Sequence, residues 1–163
     1  MIVIISMISF FLDGILSRYI LPNSLFLPLF TIVSLVIIYP YFNNSNFRYF
    51  KFIAIIGLLY DIAYYNTLFY NFFIFLILGF VIGLLNYLLS NNLYTNILIT
   101  ITSIIIYRII TFLFTIIFKS NMYSLFDLLK SIYSSLILNI IYCILIYLLT
   151  EFYSKKNNIL RSK

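Results

Sequence analysis

The chain has 163 residues, of which 64% are hydrophobic and 9% charged, with a mean hydropathy of +1.13. That composition excludes a soluble domain of this size and points to helices that cross a bilayer, each needing about 20 apolar residues. Ten Lys and Arg against four Asp and Glu leave a net charge of +6, yet the cations sit mostly at the ends of apolar runs and form no nucleic-acid-binding patch.

Six apolar segments follow one another, and together they read as a single polytopic membrane domain over residues 1–163. The first spans residues 2–16 and stops before Arg18. It has no basic leading region and no small-residue cleavage pattern, so it reads as a retained helix and not a signal peptide. After the turn Leu21-Pro22-Asn23, the second spans 24–41, with Pro28 and Pro40 expected to kink or cap it. A polar loop, Asn43 to Tyr49, leads to the third, 50–65. The tight connection Asn66-Thr67 then predicts an antiparallel hairpin with the fourth, 68–89. The fifth spans 97–118 and the sixth 131–153. The connection between them, Lys119 to Lys130, contains Asp127 and is expected to hold a short interfacial helix. A basic tail covers 154–163. Backbone groups in hydrocarbon must be satisfied within their own segment, so segments of these lengths are helices. The first and third are short for a full crossing, which predicts that one is tilted or partly re-entrant.

The basic residues predict the orientation. An even number of crossings puts both termini on one side. The tail carries Lys155, Lys156, Arg161 and Lys163 against Glu151, and the loop between the second and third segments adds Arg48 and Lys51. The other side has Arg18, Lys119 and Lys130, offset by Asp127. By the positive-inside rule both termini are cytoplasmic.

Polar side chains recur at helical spacing. The third segment gathers Ala54, Gly57, Asp61, Tyr64 and Tyr65 on one face. The fourth gathers Gly79, Gly83 and Asn86, where the Gly79–Gly83 spacing suits close helix packing. The fifth carries Thr100, Ser103, Tyr107, Thr111 and Thr115, with Arg108 on the flank. The sixth carries Ser131, Ser135, Asn139 and Tyr142, and the first Ser6, Ser9 and Asp13. Such stripes are ordinary packing contacts between membrane helices, and a ligand-lined cavity is the alternative. Asp61 and Arg108 are the charges expected deepest in the apolar layer. A charge at that depth needs a counter-charge or polar partners, so the two are candidates for a structural salt bridge or for a contact with a partner or ligand. Asp13, near the end of its helix, is expected to reach the interface.

Much chemistry is missing. With no His and a single Cys, Cys143, the usual general base and metal ligand are absent. The four carboxylates form no paired motif for a divalent ion, and no Gly-rich phosphate loop occurs. The residues therefore argue against an enzyme, and they call for no metal or other cofactor.

One stretch carries a family likeness. The turn at Pro22-Asn23, the run Gly57-Leu58-Leu59-Tyr60-Asp61, and the compact connection Tyr64-Tyr65-Asn66-Thr67-Leu68-Phe69 into a Gly-containing helix together resemble the rod shape-determining MreD family of bacteria. The likeness is strongest from Pro22 to about Gly83; beyond it only hydropathy matches, and Arg108 has no counterpart in the motif. It implies an all-α integral membrane protein, a six-transmembrane-helix bundle similar to the S components of energy-coupling-factor transporters. It also implies a non-enzymatic subunit of the cell-elongation complex in the cytoplasmic membrane. The implied partners are MreC, the MreB filament and the RodA–class B penicillin-binding protein pair, with membrane lipid around them. The alternative with the same fold is a vitamin-capturing S component, against which stands the absence of Trp and His.

Overall fold

In a computed structural model, the structure describes residues 2–17, 28–42, 46–65, 69–118 and 125–156. The expected turns at Pro22-Asn23 and Asn66-Thr67, the cations Arg18 and Lys119, and the tail from residue 157 onward lie outside the described residues.

Among the described residues the fold is all-helical, with six α-helices: α1 Ile2–Ile15, α2 Phe30–Ile38, α3 Asn46–Tyr60, α4 Tyr70–Leu88, α5 Leu93–Phe118 and α6 Leu125–Lys156. A 3₁₀ turn, Tyr39–Phe42, extends α2, and a π-type turn, Asp61–Tyr65, extends α3. Three of the helices are long and apolar enough to cross a membrane: Tyr70–Leu88, Leu93–Ile117 and Leu125–Lys155.

Several boundaries differ from those expected. The second helix begins at Phe30, not at residue 24, because Pro28 and Leu29 precede it in non-helical backbone. Proline fits there, where no intrahelical donor is needed. The third helix starts at Asn46 and so takes in Arg48 and Lys51, which hydropathy places in or at the edge of a loop. The sixth starts at Leu125, so Asp127 and Lys130 lie on α6 itself and not on a separate interfacial helix. Asp127 stands in the first turn, where a carboxylate complements the helix dipole.

The pairs α1–α2, α3–α4 and α5–α6 pack as antiparallel hairpins. Asp13 of α1 meets the start of α2, and Asp61, just past α3, meets the start of α4. On α5 and α6, Thr100 faces Cys143 and Arg108 faces Ser135, a register in which one number falls as the other rises. The core is α2. All nine of its residues are buried, as expected of a helix apolar on every side. With its 3₁₀ turn it is only about 20 Å long, too short to cross hydrocarbon alone, and α1, α5 and α6 pack around it. Leu35, Val36 and Ile38 join Ile53, Phe75, Leu78 and Ile104 in one cluster, while Val33 and Ile37 pack with Cys143, Ile146 and Tyr147 in a second.

Candidate functional site

A short helix buried among others has a problem at its start: its first amides have no intrahelical acceptor and no water to bond. The start of α2 is sealed by side chains from two other helices. Asp13 accepts from Phe30 N at 2.6 Å through Oδ1, and from Thr31 N at 2.9 Å and Thr31 Oγ1 at 2.6 Å through Oδ2. Tyr60 adds a side-chain hydrogen bond to the same carboxyl. Asn139 Oδ1 of α6 takes the preceding amide, Leu29 N, at 2.8 Å, and its Nδ2 donates to the Ser135 carbonyl of its own helix.

The second hairpin repeats the device. Asp61 accepts from Asn71 N at 2.8 Å and Asn71 Nδ2 at 3.1 Å through Oδ1, and from Phe72 N at 3.1 Å through Oδ2. Asn71 Oδ1 in turn accepts from the Tyr107 hydroxyl at 3.2 Å. Phe69, at the N-cap of α4, has φ 69°, a left-handed conformation that a bulky residue rarely adopts, and Asp61 holds the amides two and three residues beyond it.

These two caps answer the question of the buried charges. Asp61 is 1% exposed and Asp13 2% exposed. Asp13, expected near an end of its helix, is buried within the protein to the same extent as Asp61. Each carboxylate sits at the positive end of a helix dipole and takes at least three donors, which offset its desolvation. Arg108 reaches the opposite way, to α6. Its Nε donates to Ser135 Oγ at 3.2 Å, and its guanidinium lies 5.9 Å from the Tyr107 ring centroid.

Asp13, Tyr60, Asp61, Asn71, Tyr107, Arg108, Ser135 and Asn139 therefore form one polar layer across the bundle. Every helix contributes to it, α2 and α4 through their first amides. The layer lies ten residues before the end of α5 and ten after the start of α6, so that hairpin runs roughly 15 Å beyond it. Ser9 and Tyr142 extend it, with their hydroxyls 2.8 Å apart and the Tyr142 ring stacked on Phe30 at 4.0 Å.

The glycines divide by role. Gly57 marks the tightest backbone approach of α3 and α4: a Cβ there would lie 2.9 Å from Phe72 Cα and 3.2 Å from the Asn71 carbonyl oxygen. It lets α4's start come within reach of Asp61. Gly79 packs against the Ile53 side chain, where a Cβ would meet Cδ1 at 2.6 Å, whereas Gly83 meets nothing closer than the Tyr39 hydroxyl at 3.5 Å. The Gly79–Gly83 pair is thus no uniform packing seam.

Sequence reasoning missed Asn71 as a site residue, and it also left Tyr60 out. Asn71 stands eight residues before Gly79 on the same face of α4, so the helical period that gathered Gly79 and Gly83 also reaches it. Among the described residues, no three or more His, Cys, Asp or Glu side chains gather where a metal could be held. Chemically, the layer does one thing well: it neutralises the ends of helices that begin inside an apolar bundle. No protein-family model, curated protein or solved structure matches the chain.

Proposed function

We propose that this chain is a non-enzymatic membrane subunit of the bacterial cell-elongation complex, similar to the MreD family, which binds MreC and helps to organise sidewall peptidoglycan synthesis. The observation that supports this reading is the use made of Gly57 and Asp61. Gly57 admits the α4 backbone and Asp61 caps α4, so the two residues that carry the family likeness build one hairpin joint. In this reading the motif is architectural: its carboxylate is committed to backbone amides and has no role as an acid, base or metal ligand. The protein then acts through its outer surface, where α4, α5 and α6 carry large exposed side chains such as Phe73, Phe80, Leu113, Ile117 and Leu145. The bundle lies in the cytoplasmic membrane, with both termini and the cations Arg48, Lys51, Lys155 and Lys156 on the cytoplasmic side.

The test is capture from membranes with a tagged chain. The expected result is recovery of MreC, with MreB and the RodA–penicillin-binding protein pair following it. Recovery of an ATPase module without elongation proteins, or tight retention of a vitamin, would overturn the proposal in favour of an S component.

A further inference from the structure

The start of α3 carries two cations on its outer face. At about 100° per residue, Phe47, Lys51, Ile55 and Arg48 follow one another around the helix within a single arc of about 100°. All four are exposed, Phe47 at 70% and Ile55 at 57%. The opposite arc holds Tyr49, Ile53 and Ile56, all buried in the core. In a membrane bundle the outer arc therefore faces lipid. Arg48 and Lys51, three residues apart, are neighbours on the helix surface, with about 5–6 Å between their Cβ atoms. Lys51 Nζ lies 4.4 Å over the Phe47 ring, a contact that keeps its ammonium on this face.

Like charges at this spacing repel, and among the described residues neither cation has a carboxylate partner. Of the four carboxylates in the chain, Asp13 and Asp61 seal helix starts in the polar layer and Asp127 stands in the first turn of α6. The fourth, Glu151, is paired to Lys155 at 2.8 Å. Charged side chains within membrane segments usually face the bundle interior. Arg48 and Lys51 face outward, near a helix end from which their long stems can carry the charged heads to the headgroup layer. Further into the helix the same face turns apolar, with Ile55 one turn beyond Lys51 and the half-exposed Leu58 after it.

We propose that this face of α3 binds one anionic phospholipid of the adjoining leaflet. The headgroup phosphate lies between Arg48 and Lys51, and an acyl chain runs along Ile55 and Leu58. Charge complementarity selects the occupant: two adjacent cations without a carboxylate call for an anion, and the apolar surface that follows them calls for a chain joined to it. An acidic protein segment would answer the cations but gain nothing from Ile55 and Leu58. The inference rests on the placement of the bundle in a membrane and not on the binding of MreC.

Purified protein titrated with phosphatidylglycerol or phosphatidylcholine of identical chains, and read by native mass spectrometry, tests this directly. The wild-type chain should retain phosphatidylglycerol in preference to phosphatidylcholine. Lys51→Gln should reduce that preference roughly fivefold, and Arg48→Gln/Lys51→Gln by about the same factor again. Lys51→Arg should keep it. Lys130→Gln, which removes an exposed cation from α6, changes the net charge as much as Lys51→Gln does and should leave the preference intact. Equal retention of the two lipids by the wild type overturns the proposal, as does an undiminished preference in Arg48→Gln/Lys51→Gln. A loss in Lys130→Gln as large as in Lys51→Gln also overturns it, since the preference would then follow total charge and not this face. So does a photo-crosslinker at Ile55 that captures a protein in place of lipid. Loss of the preference in Arg48→Gln/Lys51→Gln with MreC capture intact would leave the functional reading untouched, and failure to capture MreC would leave the lipid preference standing, so the two proposals fail separately.

Discussion

Replacing Asp61 with Ala tests whether the motif carboxylate is a helix cap. The change leaves Asn71 N, Asn71 Nδ2 and Phe72 N without their acceptor, and the first two contacts are fully buried. An orphaned buried donor costs about 1–3 kcal/mol. Phe72 N, only partly buried, falls at the low end. Removing a buried carboxylate also relieves its own desolvation, which offsets part of the loss. The net destabilisation should be roughly 2–4 kcal/mol, against about 1 kcal/mol for an ordinary cap. Asp61→Asn keeps one acceptor oxygen and should lose about half as much. Far-UV ellipticity during SDS titration in mixed micelles measures the shift. Hydrogen exchange at residues 71 and 72 localises it, since those amides should lose protection before the rest of α4. An unchanged SDS midpoint, with 71 and 72 still protected, would refute the capping argument.

Asp13→Ala should be at least as damaging as Asp61→Ala, because the helix it caps is buried along its whole length; SDS titration compares them, and Asn139→Ala should weaken the same joint by a smaller step. Gly57→Ala should cost about 1–3 kcal/mol, since the new Cβ meets backbone, whereas Gly79→Ala should cost under about 1 kcal/mol because it meets the flexible end of Ile53; the reverse order in thermal unfolding would contradict the packing described. Cys143, 1% exposed and accepting from Thr100 Oγ1 at 3.4 Å, should resist maleimide in the folded protein and react as SDS unfolds it, so the native thiol reports unfolding without an introduced cysteine.

Helix number and order were legible because apolar runs of this length admit little else, and the burial of Asp61 within the protein fits the run that surrounds it. Three things were not. The start of α2 was misplaced because hydropathy runs smoothly through Leu25 to Leu29, and only the backbone reveals that the chain is not yet helical at Pro28-Leu29. The burial of Asp13 was not legible because its position near a helix end suggests exposure, whereas α1 ends against the start of α2, where α5 and α6 continue past it. The sequence offers Asp61 an opposite charge as partner, and the structure adds donors that it does not show: two backbone amides and the Asn71 side chain. Sequence shows a charged side chain by its letter, but every residue other than proline carries an amide, and which amides lack acceptors depends on where helices begin.

That last point explains why the device occurs twice. A helix that starts within an apolar environment exposes amides that neither water nor lipid can satisfy, and a neutral side chain offers at most one or two acceptor sites. A carboxylate offers two oxygens, can take both amides and a side-chain donor together, and is itself stabilised by the helix end it seals. The preceding helix is the natural source, because an antiparallel hairpin brings its last turns level with the first turns of the next. Asp13 with α2 and Asp61 with α4 are two instances of this one solution, and the first helix of each pair passes into a π-type turn at or just after the carboxylate. Arg108 adds a tie between α5 and α6 through Ser135. With both buried carboxylates engaged by helix starts, a partner helix docking on the outside meets a surface of shape and apolar contact. Mutations at Asp13 or Asp61 should therefore weaken partner capture only in proportion to the folding they lose.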